Sequence, residues 1–326
     1  MASYLLLGDL HLTDKAPSSC TDSYCDDLFD LLGQVNALVR EHEAIAVVIA
    51  GDVFHNKAPS RTSHRVVRRF IRWCQSIRVP VFIVPGNHDI RNDRHESIED
   101  QPLGVVFESG AASRLEGWGG YDADHQYMVY GVPWQQDWST LSPALSNYRH
   151  PSAATQPSLV VAHAPLYPPG KELSFEFYPS ADWAKYMGGQ GYVYYGHVHE
   201  PHAVWENGGV TFANFGALSR GSLHEYNLTR AVGVGIWDDR TGAFGFIPLR
   251  AKPAPEVFRL TEKQQVTDMH GRLDSFLDEI GSTELGVVTA EGVLQEVRQM
   301  GLKPGEVAMV EELLAEVHHD QEGRRG

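Results

Sequence analysis

Cysteine is scarce in this chain: Cys20, Cys25 and Cys74 are the only three in 326 residues. They form no metal-ligand spacing, and an odd, low count suits reduced thiols rather than a disulfide framework. Long apolar runs are missing as well, and none approaches the ~20 residues of a membrane span. The opening MASYLLLGDLH is too short in its apolar part, and too poor in basic residues, for a signal peptide. A cytoplasmic protein away from the membrane is therefore expected. No glycine-rich GxxxxGK[ST] phosphate loop occurs, so any ATP-driven motor acting with this chain must be a separate protein. Internal repeats and low-complexity tracts are also absent.

Positive charge is in deficit too, with 27 Lys+Arg against 42 Asp+Glu and a formal net charge of −15. Most nucleic-acid proteins show the opposite, a basic footprint. The deficit is uneven: residues 255–326 hold 15 acidic and 7 basic residues, residues 1–254 hold 27 and 20. One local basic stretch, Arg61, Arg65, Arg68, Arg69 and Arg72, falls on a predicted helix. It reads as a solvated face, with a phosphate-tracking surface as the alternative.

What the chain does contain is a series of short motifs, each following a hydrophobic run: GDLH at Gly8–His11, GDVF at Gly51–Phe54, GNHD at Gly86–Asp89 and GHVH at Gly196–His199. His163 of VVAHAP lies between the third and fourth. Leu5–Leu7, Val47–Ala50, Phe82–Val84, Leu159–Ala162 and Val193–Tyr195 read as buried strands, each ending where a motif begins. Asp9, His11, Asp52, Asn87, His163, His197 and His199 would then gather at the carboxyl edge of one sheet. In Asp9-Leu10-His11 and His197-Val198-His199 the polar residues are two apart, which in extended backbone places both side chains on one face. The glycines suit positions of unusual backbone angle or close approach.

Seven mixed oxygen and nitrogen donors exceed the needs of one tetrahedral ion and suit two ions sharing a bridge. Such pairs hydrolyse phosphate esters by clamping the substrate and generating a bridging hydroxide. With no thiolate in the set a structural zinc site is disfavoured; imidazole and carboxylate fit Mn(II), Fe(II) or Zn(II), and geometry alone rarely decides among them. Mn(II) is the expected cation, with Fe(II), Zn(II) or Mg(II) as alternatives.

The motif series resembles the calcineurin-like metallophosphoesterase superfamily over about Ser3 to Gly216. The resemblance implies that Asp9, His11, Asp52 and His199 hold one ion, that Asp52, Asn87, His163 and His197 hold the other, and that Asp52 bridges. It also places His88 beside the ions as an acid or transition-state stabiliser, oriented by Asp89. Independently, ester cleavage needs a proton for the leaving oxygen, and a histidine titrating near neutrality can supply it.

The second motif extends to GDVFH, and His55 in that position is similar to the SbcD-type DNA-repair nucleases, where this histidine faces the scissile phosphate. Asn214–Arg220 (NFGALSR), followed by Gly221-Ser222 and Glu225, is similar to the same group, although Phe215-Gly216-Ala217 stands where a proline-glycine-serine turn is usual. The resemblance implies a DNA exo- or endonuclease, a separate SbcC-type coiled-coil ATPase as partner, and a homodimer as a further expectation. The alternative is a small-molecule phosphodiesterase acting on cyclic nucleotides or nucleotide sugars; a non-catalytic scaffold would show a broken donor set.

Helical spacing predicts helices over Asp22–His42 and Pro59–Ile77, alternating with the first three strands as βαβαβ. Residues 91–126 read as loops, Tyr127–Val132 as a strand, and Pro165–Pro179 as a long loop whose Phe175, Phe177 and Tyr178 pack over the core, with stacking on bases as the alternative. The short segments Ala203–Trp205, Val210–Phe212, Ala231–Trp237 and Ala243–Pro248 are expected to form a second, mixed sheet. The expected fold is α/β, a four-layer helix-sheet-sheet-helix sandwich over residues 1–254. An acidic helical appendage for docking or capping is expected over residues 255–326, with helices at Glu262–Ile280, Glu291–Met300 and Gly305–His318.

Overall fold

A computed structural model describes residues 3–55, 62–118, 129–135, 158–170 and 178–260, with positions 121–122, 125–126, 145 and 148 between them. The first strands are β1 (Ser3–Leu7), β2 (Ala44–Ile49), β3 (Val81–Ile83), β4 (Ser113–Arg114) and β5 (Gly117–Trp118), and then the small hairpin β6 (Tyr121–Asp122) and β7 (His125–Gln126). They are followed by β8 (Val129–Val132), β9 (Leu159–His163), β10 (Gly191–Gly196), β11 (His202–Asn207), β12 (Val210–Asn214), β13 (Gly233–Asp238) and β14 (Phe244–Pro248).

Two six-stranded sheets result. The first runs β14-β13-β1-β2-β3-β4 and the second β11-β12-β10-β9-β8-β5. Strands β1 to β4 are parallel, as are β8, β9, β10 and β12, while β13, β14, β11 and β5 pair antiparallel at the edges.

The strand period of two explains how the sheets stack. Along β1, Tyr4 and Leu6 enter the layer between the sheets, and Leu5 and Leu7 face the helices. In β2, Ala46 and Val48 face inward, and Val47 and Ile49 outward. In β9, Leu159 and Val161 face the first sheet, and Val160 and Ala162 the opposite outer layer with Trp183. Strands apolar on both faces must be covered on both, so the architecture is helix-sheet-sheet-helix.

On the outer face of the first sheet lie α1 (Tyr24–Glu41), α2 (His64–Ser76) and α3 (Pro102–Glu108). Helix α1 buries Leu28, Leu32, Val35 and Val39 at helical spacing, and places Asp26 and Asp27 in its first turn and Arg40 in its last, matching the helix dipole. Helix α2 starts at His64, later than the expected Pro59; Ser63 caps it through Oγ to the Val66 N–H at 3.4 Å. Its Arg69 pairs with Asp26 and lies over the Phe29 ring, and Arg65, Arg68 and Arg72 are exposed. Arg61 lies outside the described residues.

Several expectations are corrected. The β13–β14 hairpin completes the first sheet, not the second, because β13 pairs with β1 along Ser3–Leu6. Residues 91–126 are not all loop: α3 buries Leu103 and Val106 against the first sheet, in a segment too short to show periodicity. Tyr178 is buried, whereas Phe175 and Phe177 lie outside the described residues.

The first compact unit runs to Leu260. Val257 and Phe258 are 5% and 2% exposed. Backbone bonds Thr21 N to Val257 O (2.9 Å) and Arg259 N to Ser19 O (3.0 Å) fasten them to the loop before α1. The helices expected from Glu262 onward lie outside the described residues.

Candidate metal centre

Five loops meet at the carboxyl ends of β1, β2, β3, β9 and β10. Because β9 and β10 belong to the second sheet, the expected edge of one sheet is in fact a seam between two. The loops after β1 and β2 are joined by Leu10 N and His11 N to Asp52 O (3.1 and 2.9 Å), Leu12 N to Val53 O (2.9 Å) and His55 N to Leu12 O (3.0 Å).

Asp9 and His11 do not lie on one face of an extended segment, and neither do His197 and His199. His11, Asp52 and His197 have φ of 47°, 50° and 82°. They are three of the six non-glycine residues in the left-handed region among the described residues. Each such conformation costs on the order of 1–3 kcal/mol, and clusters of them mark functional sites.

Two glycines allow the approach. Gly51 has φ 96°, and a Cβ on it would overlap the His163 ring; a Cβ on Gly86 would overlap the Asp52 carboxylate and backbone.

The structure brings all seven expected donors together. Donor atoms of Asp9, His11, Asp52 and His199 lie within 4.8 Å of one another, as do those of Asp52, His163 and His197. Asp52 is common to both groups. Its Oδ2 is 3.6 Å from His11 Nε2 and its Oδ1 is 3.4 Å from His163 Nε2. Asn87 joins the second group through Oδ1, 3.0 Å from His163 Nε2 and 3.1 Å from His197 Nδ1. Asp9 accepts the His197 backbone N–H at 3.0 Å.

These groups fit divalent cations. His11 Nε2 and His199 Nε2 stand 3.0 Å apart, two ring nitrogens aimed at one point. His163 places Nδ1 2.7 Å from the Ala50 carbonyl, which fixes the tautomer with Nε2 free toward Asp52 and Asn87, as in metal-binding imidazoles generally. Burial holds His11 well below the ordinary histidine value, and burial with His163 holds His197 down to about 3, so both rings are neutral. Burial alone would raise Asp52, but His163 outweighs it and keeps the carboxyl well below its usual range. His163 in turn is raised to about 9, because Asp52 and Asp9 overcome its desolvation. Burial raises Asp9. Neutral His11 and His197 beside an ionised Asp52 are donor states a cation requires, whereas His163 would have to give up a proton to bind one.

Beyond the donors, His88 and His55 line the more open face. The rings of His55 and His88 stack at 5.7 Å, and those of His11 and His88 meet edge-on at 4.8 Å. Burial and the neighbouring His88 lower the His55 pKa. His88 donates its backbone N–H to Asp52 Oδ1 (2.8 Å), and its ring Nδ1 lies 2.6 Å from the His55 carbonyl oxygen.

The structure places Asp89 between two motif loops. Its buried carboxylate accepts the N–H groups of Val53 (3.1 Å), Phe54 (3.4 Å) and Gly86 (3.0 Å). It thus ties the second and third motif loops together, while the His55 carbonyl fixes the His88 ring. Burial and Asp52 raise Asp89 to about 7.

Sequence reasoning missed one support. Trp134 lies against His197, with ring centroids 4.7 Å apart. Like the donors it directly follows a strand, β8, so the strand-end rule could have found it. Asn214–Ser219 braces the site: Asn214 Nδ2 donates to Val198 O (2.9 Å), Ala217 N to His199 O (3.2 Å) and Ser219 N to Asp9 O (3.2 Å).

Residues 2–201 match the family described as calcineurin-like phosphoesterase. The chain belongs to this family. No curated relative matches it. Among solved structures this phosphoesterase is similar to TT1561 of Thermus thermophilus, at 14% identity and TM-score 0.47 over 76% of this chain and 99% of that one. It is also similar to a dimetal phosphatase from Danio rerio, at 12% identity and TM-score 0.46 over 76% and 98%. A third is the phosphoesterase Yfce from E. coli, at 16% identity and TM-score 0.36 over 76% and 93%. Among the described residues no helix is long and apolar enough to cross a membrane.

Proposed function

We propose that this phosphoesterase is a two-metal phosphodiesterase that cleaves DNA in the manner of the SbcD-type nucleases. The observation that carries the metal chemistry is Asp52, common to two donor groups. Asp9, His11, Asp52 and His199 hold one ion in this reading, and Asp52, Asn87, His163 and His197 the other, with Mn(II) the preferred cation. Bound there, the cations supply Lewis-acid activation of the phosphate and of the attacking water.

The chain's own residues do the rest. His88, with Nδ1 on the His55 carbonyl, has Nε2 left to pass a proton to the leaving oxygen. His55 supports the nuclease branch: its ring stacks on His88, stands 5.4 Å from His11 and is partly exposed, so it borders the space a phosphate would enter. DNA, a separate SbcC-type coiled-coil ATPase and a second copy of the chain are the partners that belong to this reading.

The test is His55→Ala, assayed with Mn(II) on a labelled duplex, a labelled single strand and bis-p-nitrophenyl phosphate. DNA cleavage should fall about 10–100-fold, the scale of one lost charged hydrogen bond, at unchanged metal content. Unaltered DNA cleavage by the variant would move the assignment to a small-molecule phosphodiesterase.

A further inference from the structure

The donors of the second group come from different sheets: Asp52 and Asn87 follow strands of the first, whereas His163 ends β9 and His197 follows β10 in the second. Something must set the distance across that seam, and Trp134 is placed to do so. It follows β8 in the second sheet, yet it is fastened at two points to the first-sheet loop that carries Asn87. Its backbone N–H donates to the Pro85 carbonyl at 3.0 Å, and its indole Nε1–H to Asp93 Oδ1 at 3.0 Å. Asp93 itself is left-handed, with φ 54°. Between these anchors the indole lies over the His197 ring at 4.7 Å and 33°, and meets the His163 ring at 6.1 Å and 70°.

We propose that Trp134, anchored by Asp93, is a positioning residue that holds the His197 imidazole in register with Asn87 and His163 and so sets the affinity of the second cation site. The inference rests on the two-cation reading above. His197 needs such a support: its backbone is left-handed at φ 82°, and its ring contacts Asn87 through a single nitrogen at 3.1 Å. An indole is a rigid plate with only two side-chain torsions, and an anchored Nε1–H removes one of them. Among the described residues the indole meets the rings of His197 and His163, both donors of the second group, so the effect should be confined to one of two ions.

The experiment is titration of the metal-stripped full-length chain with Mn(II), followed by electron paramagnetic resonance and calorimetry, with Co(II) absorption as a second signature. The parent should bind two ions. Trp134→Ala should weaken one of them about 10–100-fold, the usual effect of losing an outer support, and leave the other unchanged. Trp134→Phe keeps a ring over His197 and should recover most of that affinity. Asp93→Ala keeps the ring but frees it, and should fall between the two. In the parent, Co(II) at the second site should quench indole emission, and in Trp134→Phe that quench should be lost.

Two tight sites in Trp134→Ala, or equal weakening of both, would overturn the positioning role. A parent that binds fewer than two ions would instead overturn the two-cation reading, a failure seen before any variant is made.

Discussion

At the scale of single residues, the proposed function divides the site into groups that would hold cations and groups that would act on the substrate. Asp52 lies in both donor groups and also accepts the His88 N–H. Asp52→Asn should therefore lower metal content more than any other single donor change. His88→Ala should keep both ions and lose turnover by about 10²–10⁴-fold, the usual contribution of a positioned acid or base. Metal analysis beside kcat distinguishes the two; metal loss in His88→Ala would make His88 a ligand.

Glycines give a second residue-scale contrast. Gly86→Ala would drive a Cβ into Asp52 and His163 and should weaken metal binding roughly 10–100-fold, as displaced outer supports do. Gly33→Ala, at an exposed position of α1 with nothing near the added Cβ, should stabilise the fold by about 0.5–1 kcal/mol in denaturant unfolding. If both variants behave alike, close approach is not what Gly86 provides.

At the scale of elements, the decisive additions are those with the weakest sequence signal. Helix α3 is seven residues long, too short for a moment to show, yet it covers the first sheet with Leu103 and Val106. The segment Val257–Arg259 pairs with Ser19–Thr21 and so packs with the first compact unit. Phe258→Ala should cost about 3–5 kcal/mol of unfolding free energy, as for a buried aromatic in a core. A chain ending at residue 254 should suffer at least as much, and one ending at Leu260 should not. Equal thermal midpoints for the two truncations would return the boundary to residue 254.

At the scale of the whole molecule, the seam between the sheets gathers imidazoles around the Asp52 carboxylate, and in the two-cation reading the ions would bind the folded state alone. Stripping with a chelator should abolish hydrolysis of bis-p-nitrophenyl phosphate and lower the thermal midpoint. Mn(II) at 100 times its Kd should restore activity and about 2.7 kcal/mol of stability. Hydrolysis that survives chelation and dialysis would defeat the two-cation reading.

The expected donors, which the fold brings close together, and the strands that carry them were legible in the sequence. Gly and polar motifs at the ends of apolar runs are local signals, and a buried strand must stop where its hydrogen-bonding ladder meets the site. Helices α1 and α2 were legible for the same reason: their apolar spacing runs over several turns. Only the tertiary structure decided which sheet each strand joins, because pairing β13 with β1 is a contact between distant segments with no local signature. It also decided that His11, Asp52 and His197 adopt left-handed backbone rather than extended strand, since the converging loops impose those angles. The work of Asp89 as a tie between two loops, and of Trp134 as a brace across the seam, follows from the same cause. A side chain's partner is set by packing in three dimensions, and residue type and spacing alone do not specify it.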